Sequence, residues 1–192
     1  MGSLANRIKQ QPRIEVGGVW QRHTPQRYLA QALQGYTARG RWGTADGFSV
    51  LYLGAPRESV VIEAYRHLID PVLDGTPPIA PRVLVTCDVA VTEILDLRTA
   101  LSRYELLDES TLTSATNDQA AYARCQEVAA VAQQLGFHGL IAPAATRRGE
   151  TLALFMDNLP TAEHPQLRDP ELWSELPPDP RGGQRPNLRV VT

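Results

Sequence analysis

Five side chains in the first third of the chain stand where their polarity needs explaining: Arg22, His23, Arg41, Tyr52 and Glu63. Arg22 and His23 close an alternating stretch, and Arg41 lies between Gly40 and Trp42. Tyr52 sits inside Val50-Leu51-Tyr52-Leu53, and Glu63 interrupts the run begun by Val60-Val61-Ile62. Guanidinium groups grip phosphate oxygens in pairs, and neighbouring glycines let a backbone approach such a ligand closely. A tyrosine ring offers a face on which an aromatic base or a nicotinamide ring stacks. A carboxylate beside a sugar stabilises an oxocarbenium-like transition state and orients an attacking hydroxyl. Arginine, tyrosine and glutamate together suit cleavage of an N-glycosidic bond in a dinucleotide.

Each residue also has a plainer reading, and the pattern leaves both open. Arg22 fits a surface ion pair, and Tyr52 fits an amphipathic core position. Trp42 fits a packing anchor for its loop. Glu63 fits a helix-surface pair with Arg66 or His67, worth only about 0.2–0.5 kcal/mol. Competing chemistries lack their motifs. The chain has no Gly-x-Gly-x-x-Gly after a strand, no phosphate-cradling Gly-Lys-Ser/Thr, no Gly-x-Ser-x-Gly, no His-Glu-x-x-His and no Cys-x-x-Cys. The histidines His23, His67, His138 and His164 are scattered, which gives no metal site.

The elements that must hold these residues follow from periodicity. Arg13 to Thr24 reads as a first strand with a glycine bulge at Gly17-Gly18. Pro25 to Leu33 reads as a helix with Tyr28, Leu29, Ala32 and Leu33 on its apolar stripe. Residues 35–47 form an irregular glycine loop, Phe48 to Leu53 a strand, and Pro56 to Ile69 a helix ended by Pro71. A proline-rich linker at 74–78 leads to a strand over Arg82–Val89. A further strand follows over Glu93–Leu97, turning into a helical piece. Residues 105–117 read as a surface loop. Asp118 caps a helix running to Leu135, with Tyr122, Cys125, Val128, Ala129, Ala132 and Leu135 as its buried face. His138–Ala142 and Thr151–Met156 are strands. Strands and helices without regular alternation predict a single mixed α+β domain. Its expected bounds are a leader over 1–11, the domain over 12–158, and an extension over 159–192 with a Pro/Gly-rich flexible tail.

Composition narrows the setting. With 192 residues, 43% hydrophobic and 21% charged, the chain has the makings of one folded domain. Nineteen basic against 21 acidic side chains give a net charge of −2, no electrostatic reason for direct nucleic-acid or membrane-surface contact. Cys87 and Cys125 sit in apolar contexts and read as reduced core thiols. No run reaches the length of a membrane span, and the first residues lack the apolar stretch of a signal peptide. The expectation is a cytoplasmic protein.

Taken in order, the residues resemble the RES domain, named for arginine, glutamate and serine, a family of toxins of bacterial toxin–antitoxin pairs. The marks are Gln21-Arg22-His23, Gly40-Arg41-Trp42, Val50-Leu51-Tyr52-Leu53, Val61-Ile62-Glu63-Ala64 and Gly139-Leu140-Ile141-Ala142-Pro143-Ala144. The resemblance implies an ADP-ribosyltransferase fold of the diphtheria-toxin type, with central mixed sheets flanked by helices. It implies NAD as substrate, with no metal. Arg22 and Arg41 would hold the pyrophosphate and ribose, Tyr52 would stack on the nicotinamide, and Glu63 would serve the reacting ribose. Glu63 and Arg41 are thus the expected catalytic residues, and Arg22, His23, Arg41, Tyr52 and Gln126 the expected NAD-binding set. His23 stands where relatives often have tyrosine. The family serine is missing, with Ala123 or Ala144 in its place and Gln126 or Thr146 as substitutes. The implied activity is NAD glycohydrolase or phosphorylase, with ADP-ribosyl transfer to a protein, or a binding module whose chemistry has lapsed, as alternatives. The implied partner is a cognate antitoxin with an Xre/Cro-type helix-turn-helix domain, whose C-terminal region plugs the cleft. The resemblance leaves room for a homodimer within that complex.

Overall fold

The computed structural model describes residues 3–72, 79–99, 106–114 and 118–182. The linker expected at 74–78, the helical piece expected after Leu97 and the end of the tail fall largely or wholly outside them. Strands are β1 (Arg13–Pro25), β2 (Val50–Ala55), β3 (Arg82–Asp96), β4 (Gly139–Pro143), β5 (Glu150–Phe155), β6 (Gln166–Leu167) and β7 (Glu171–Trp173). Helices are α1 (Leu4–Lys9), α2 (Arg57–Leu68), α3 (Glu109–Leu112) and α4 (Gln119–Gln134).

The pairings close a ring of strands, β1–β2–β5–β4–β3 and back to β1, with β6 and β7 added along β3. Among the described strands only β3 and β4 run parallel. Alternation along the strands explains why the ring has two cores. Leu51, Leu53, Leu152, Leu154 and Ile141 point one way, joining Trp20, Val89 and Ile94 in one cluster. Val50, Ala153, Phe155, Leu140 and Ala142 point the other way, onto α1 and α4. Ile8 of α1 and Cys125, Val128, Ala129 and Ala132 of α4 meet them there. Strands buried on both faces read as near-continuous apolar runs, as these do. Asp118 caps α4 by accepting from the Ala121 N–H, as its sequence predicts. No described helix is long and apolar enough to cross a membrane.

The mixed α+β class is borne out, and several element-level expectations are corrected. The helix expected from Pro25 is a 3-10 turn over Gln26–Gln31, with Tyr28 47% exposed. No glycine bulge interrupts β1: Gly17 and Gly18 pair in register with Ala90 and Val89. The irregularity lies between Ile14 and Val16, facing Thr92 and Glu93 of β3, where Glu93 takes a left-handed φ of 57°. That kink splits β3 into two apparent strands in the sequence, yet it is one strand of 15 residues. The expected surface loop over 105–117 contains α3, capped by Asp108, with Leu107 and Leu112 buried. In α4, Tyr122 and Leu135 lie at the margin of the buried face rather than within it.

Beyond Asn158 the described residues pack onto the domain. β7 pairs with Arg82–Leu84, and Trp173 is 3% exposed against Val60, Ala64, Tyr65 and Leu84. The Tyr65 hydroxyl donates to the Pro177 carbonyl at 2.9 Å, and Arg181 pairs with Asp70 on the end of α2.

Candidate active site

One cleft of about 950 Å³ opens between the end of β1, the glycine loop, β2, α2 and the β4–β5 turn. Its size suits a dinucleotide-sized ligand. Arg22, His23, Arg41, Tyr52 and Glu63 all line it, brought together from separate elements. Among the described lining residues Glu63 supplies the one carboxylate, against five arginines, 22, 39, 41, 66 and 82. That imbalance favours an anionic ligand.

Arg22 shares a strand face with Trp20, so its guanidinium enters the mouth of the apolar ring. Its Nε and Nη1 are buried and have no hydrogen-bond partner among the described residues. Burial lowers its pKa, offset in part by Tyr36, whose ring lies 5.8 Å from the guanidinium carbon. A buried guanidinium with open donors is costly unless a ligand supplies acceptors. His23 is on the opposite strand face. Its Nδ1 accepts from Arg82 Nε at 3.1 Å and Nη2 at 2.7 Å, and its ring stacks on Trp173 at 6.4 Å. The proton is thereby placed on Nε2. Burial first, and then Arg82, His67 and Arg22, push its pKa down to about 3.

Tyr52 lies on the helix-facing side of β2, and its hydroxyl accepts from the Trp42 N–H at 2.9 Å. Desolvation raises its pKa, so it stays a neutral phenol. Gly40 is required here: a Cβ on it would stand 2.6 Å from the Tyr52 hydroxyl. Arg41 is 9% exposed and largely committed. Nη1 donates to the Thr111 carbonyl at 2.9 Å and Ser114 Oγ at 3.0 Å, and Nη2 donates to the Ser114 carbonyl at 2.8 Å. It lies 4.6 Å over the Tyr122 ring. Arg41 therefore forms cleft wall while tying the glycine loop to the α3 segment.

Glu63 meets both of its readings. It faces the cleft from α2 and also pairs with His67 Nε2 at 3.3 Å one turn on. Gln126 is placed differently from the other expected ligand-binding residues. Its amide donates to the Gly40 carbonyl at 2.8 Å and the Gly43 carbonyl at 3.2 Å, holding the loop from behind rather than lining the cleft. Ala123 is exposed on α4, whereas Ala144 lines the cleft.

Several residues here were not legible as site residues. Ser59, one turn before Glu63 on α2, lines the cleft, and its hydroxyl meets that of Thr146 at 2.8 Å. The i, i+4 spacing to Glu63 is the signal that could have found it. Ser114 brings a serine hydroxyl onto Arg41 from the stretch read as surface loop. Arg82 adds to the basic wall, and the Tyr36 ring lies beside Arg22. Gly149 fixes the β4–β5 turn. Its φ is +72°, and a Cβ would fall 2.0 Å from the Ala55 carbonyl oxygen at the entry to α2. Among the described residues no group of His, Cys, Asp or Glu is arranged to hold a metal ion.

With this geometry in place, the comparisons are specific. The RES domain family model matches residues 18–175. The chain is similar to one in the crystal structure of the M. tuberculosis MbcT–MbcA toxin–antitoxin complex. The TM-score is 0.73 at 26% identity, over 88% of this chain and 91% of that one. No curated protein sequence matches. The matched span runs from the strand carrying Arg22 to the segment carrying Trp173, and so takes in the whole cleft: the chain belongs to the RES domain family.

Proposed function

We propose that this chain cleaves the nicotinamide–ribose bond of NAD. The observation that carries the reading is Arg22, buried with two open donors in a cleft that also presents the Glu63 carboxylate. A pyrophosphate supplies the acceptors that Arg22 lacks, and Arg39 and Arg82 add to the field that draws it in. With the pyrophosphate anchored, the ribose reaches α2 and the nicotinamide meets the Tyr52 wall. Breaking C1′–N1 sends the bonding pair to the pyridinium nitrogen, so nicotinamide leaves neutral. The positive charge that develops on the ribose is opposed by Glu63. Water, phosphate or a protein side chain then adds at C1′ and gives up its proton.

The same reading makes the chain the toxin of a toxin–antitoxin pair. Its likeness to the M. tuberculosis complex supports this. The antitoxin would carry a Cro-like helix-turn-helix domain and fill the cleft with its C-terminal region, so any DNA contact would run through the partner.

The test is nicotinamide release from NAD by purified protein, with water alone, with phosphate and with candidate protein acceptors. Glu63→Gln should slow release by about 10²–10³-fold. It should barely alter stability, because the Glu63–His67 pair is exposed. No release under any of these conditions would leave a binding module; full activity in Glu63→Gln would return that residue to the helix surface.

A further inference from the structure

The geometry points to the Ser59–Thr146 hydroxyl pair as a ribose-recognition site that works beside Glu63. This rests on the NAD reading above. The Thr146 hydroxyl has three partners. It donates to the Arg148 carbonyl at 3.1 Å, accepts from the Arg148 N–H at 3.3 Å, and meets Ser59 Oγ at 2.8 Å. When the Thr146 proton goes to the Arg148 carbonyl, Ser59 is the donor across the 2.8 Å contact. In that arrangement Ser59 presents its lone pairs to the cleft. Ser59 is the third residue of α2, in its first turn, and its hydroxyl meets the β4–β5 turn sideways. Ser59 is 4% exposed and still forms part of the cleft wall.

Ser59 and Glu63 occupy positions i and i+4 of α2, with Cβ atoms roughly 5–6 Å apart on one face. Two acceptors at that separation match the two donors of a vicinal diol. One hydroxyl of the nicotinamide-bearing ribose donates to the Glu63 carboxylate and the other to Ser59 Oγ. Thr146 is a positioning residue: it fixes which way the Ser59 proton points. The pair forms no covalent bond to the substrate and moves no proton to it. It orients C1′ relative to the carboxylate and the leaving ring.

The experiment measures kcat/KM for nicotinamide release from NAD and from two analogues, each lacking one hydroxyl of the nicotinamide-bearing ribose. Wild type, Ser59→Ala, Thr146→Ser and Thr146→Val are compared. Wild type should be slowed on both analogues. In Ser59→Ala the penalty for one missing hydroxyl should shrink about tenfold, towards none, while the penalty for the other persists. Thr146→Val should act in the same direction and Thr146→Ser should keep the wild-type pattern. Thr146 lies in a partly exposed turn, so its variants test the idea even if Ser59→Ala fails to fold. Both penalties unchanged in Ser59→Ala and Thr146→Val would overturn this inference alone. No release from any of the three compounds by wild type would overturn the NAD reading, and this inference with it.

Discussion

Arg82 donates two hydrogen bonds to one nitrogen of His23, at 3.1 and 2.7 Å, and so fixes a histidine beside the cleft in its neutral form. Protonating that nitrogen would remove the acceptor and set an imidazolium against Arg82, Arg22 and His67 in a desolvated site. The folded pKa of about 3 lies below the usual 6.5, so the unfolded chain binds the proton first on acidification. Folding stability from this residue is complete above pH 6.5 and is lost as pH falls from there towards 3. His23→Gln keeps an acceptor for Arg82 and does not titrate. Urea unfolding at pH 4 to 6 should give wild type a slope steeper than that of the variant by about 1.4 kcal/mol per pH unit. Parallel profiles would show that His23 is already charged in the folded protein.

Gly40 and the Tyr52 hydroxyl compete for one volume. Gly40→Ala should destabilise the protein by about 1–3 kcal/mol through the 2.6 Å clash. In a Tyr52→Phe background the same substitution should cost measurably less, since only the ring carbon at 3.2 Å remains in the way. A double-mutant cycle by chemical denaturation reads the coupling. Strict additivity would mean that the loop moves away from Tyr52 when Gly40 gains its methyl group.

Arg41 holds the α3 segment through a fork that lysine cannot reproduce. Arg41→Lys should lose about 2–3 kcal/mol of stability despite keeping the charge, because the Thr111 and Ser114 carbonyls lose their donors. Amide hydrogen exchange should accelerate across α3 and leave α4 protected. A lysine variant of unchanged stability and exchange would assign Arg41 to ligand contact alone.

Trp173 reaches the site from the far end of the chain by stacking on His23. Trp173→Ala should cost about 3–5 kcal/mol. It should also weaken binding of ADP-ribose, as measured by calorimetry, because Arg82 and His23 lose their backing. Unimpaired binding in a folded Trp173→Ala protein would separate the C-terminal segment from the cleft.

The sequence discloses the cleft residues whose oddity is local. Tyr52 in an apolar strand and Glu63 on an apolar helix declare themselves by type against period, and both do face the cleft. Gln126 does not, because period cannot tell whether an amide at the edge of a helix faces a ligand or the back of a loop. Ser59 passes as an ordinary helix residue, since the partner of its hydroxyl lies 87 positions away in a turn. The two halves of β3 read as separate strands because Thr92 and Glu93 break the alternation there while the ladder continues. α3 is too short to show a period, and its anchor is a guanidinium about 70 residues earlier. Pairwise chemistry across long sequence separation is what composition and periodicity leave unread.

Arg22 carries one more consequence. On its strand face it follows Trp20, a position where an apolar side chain would complete the ring, and its Nε and Nη1 find no hydrogen-bond partner among the described residues. Replacing an unpaired buried ion by a hydrophobe of similar volume commonly stabilises a fold. Arg22→Met should therefore melt at a higher temperature than wild type and, if Arg22 anchors the proposed pyrophosphate, bind ADP-ribose more weakly. The same two open donors that burden the fold at the mouth of its core are what a bound pyrophosphate would use.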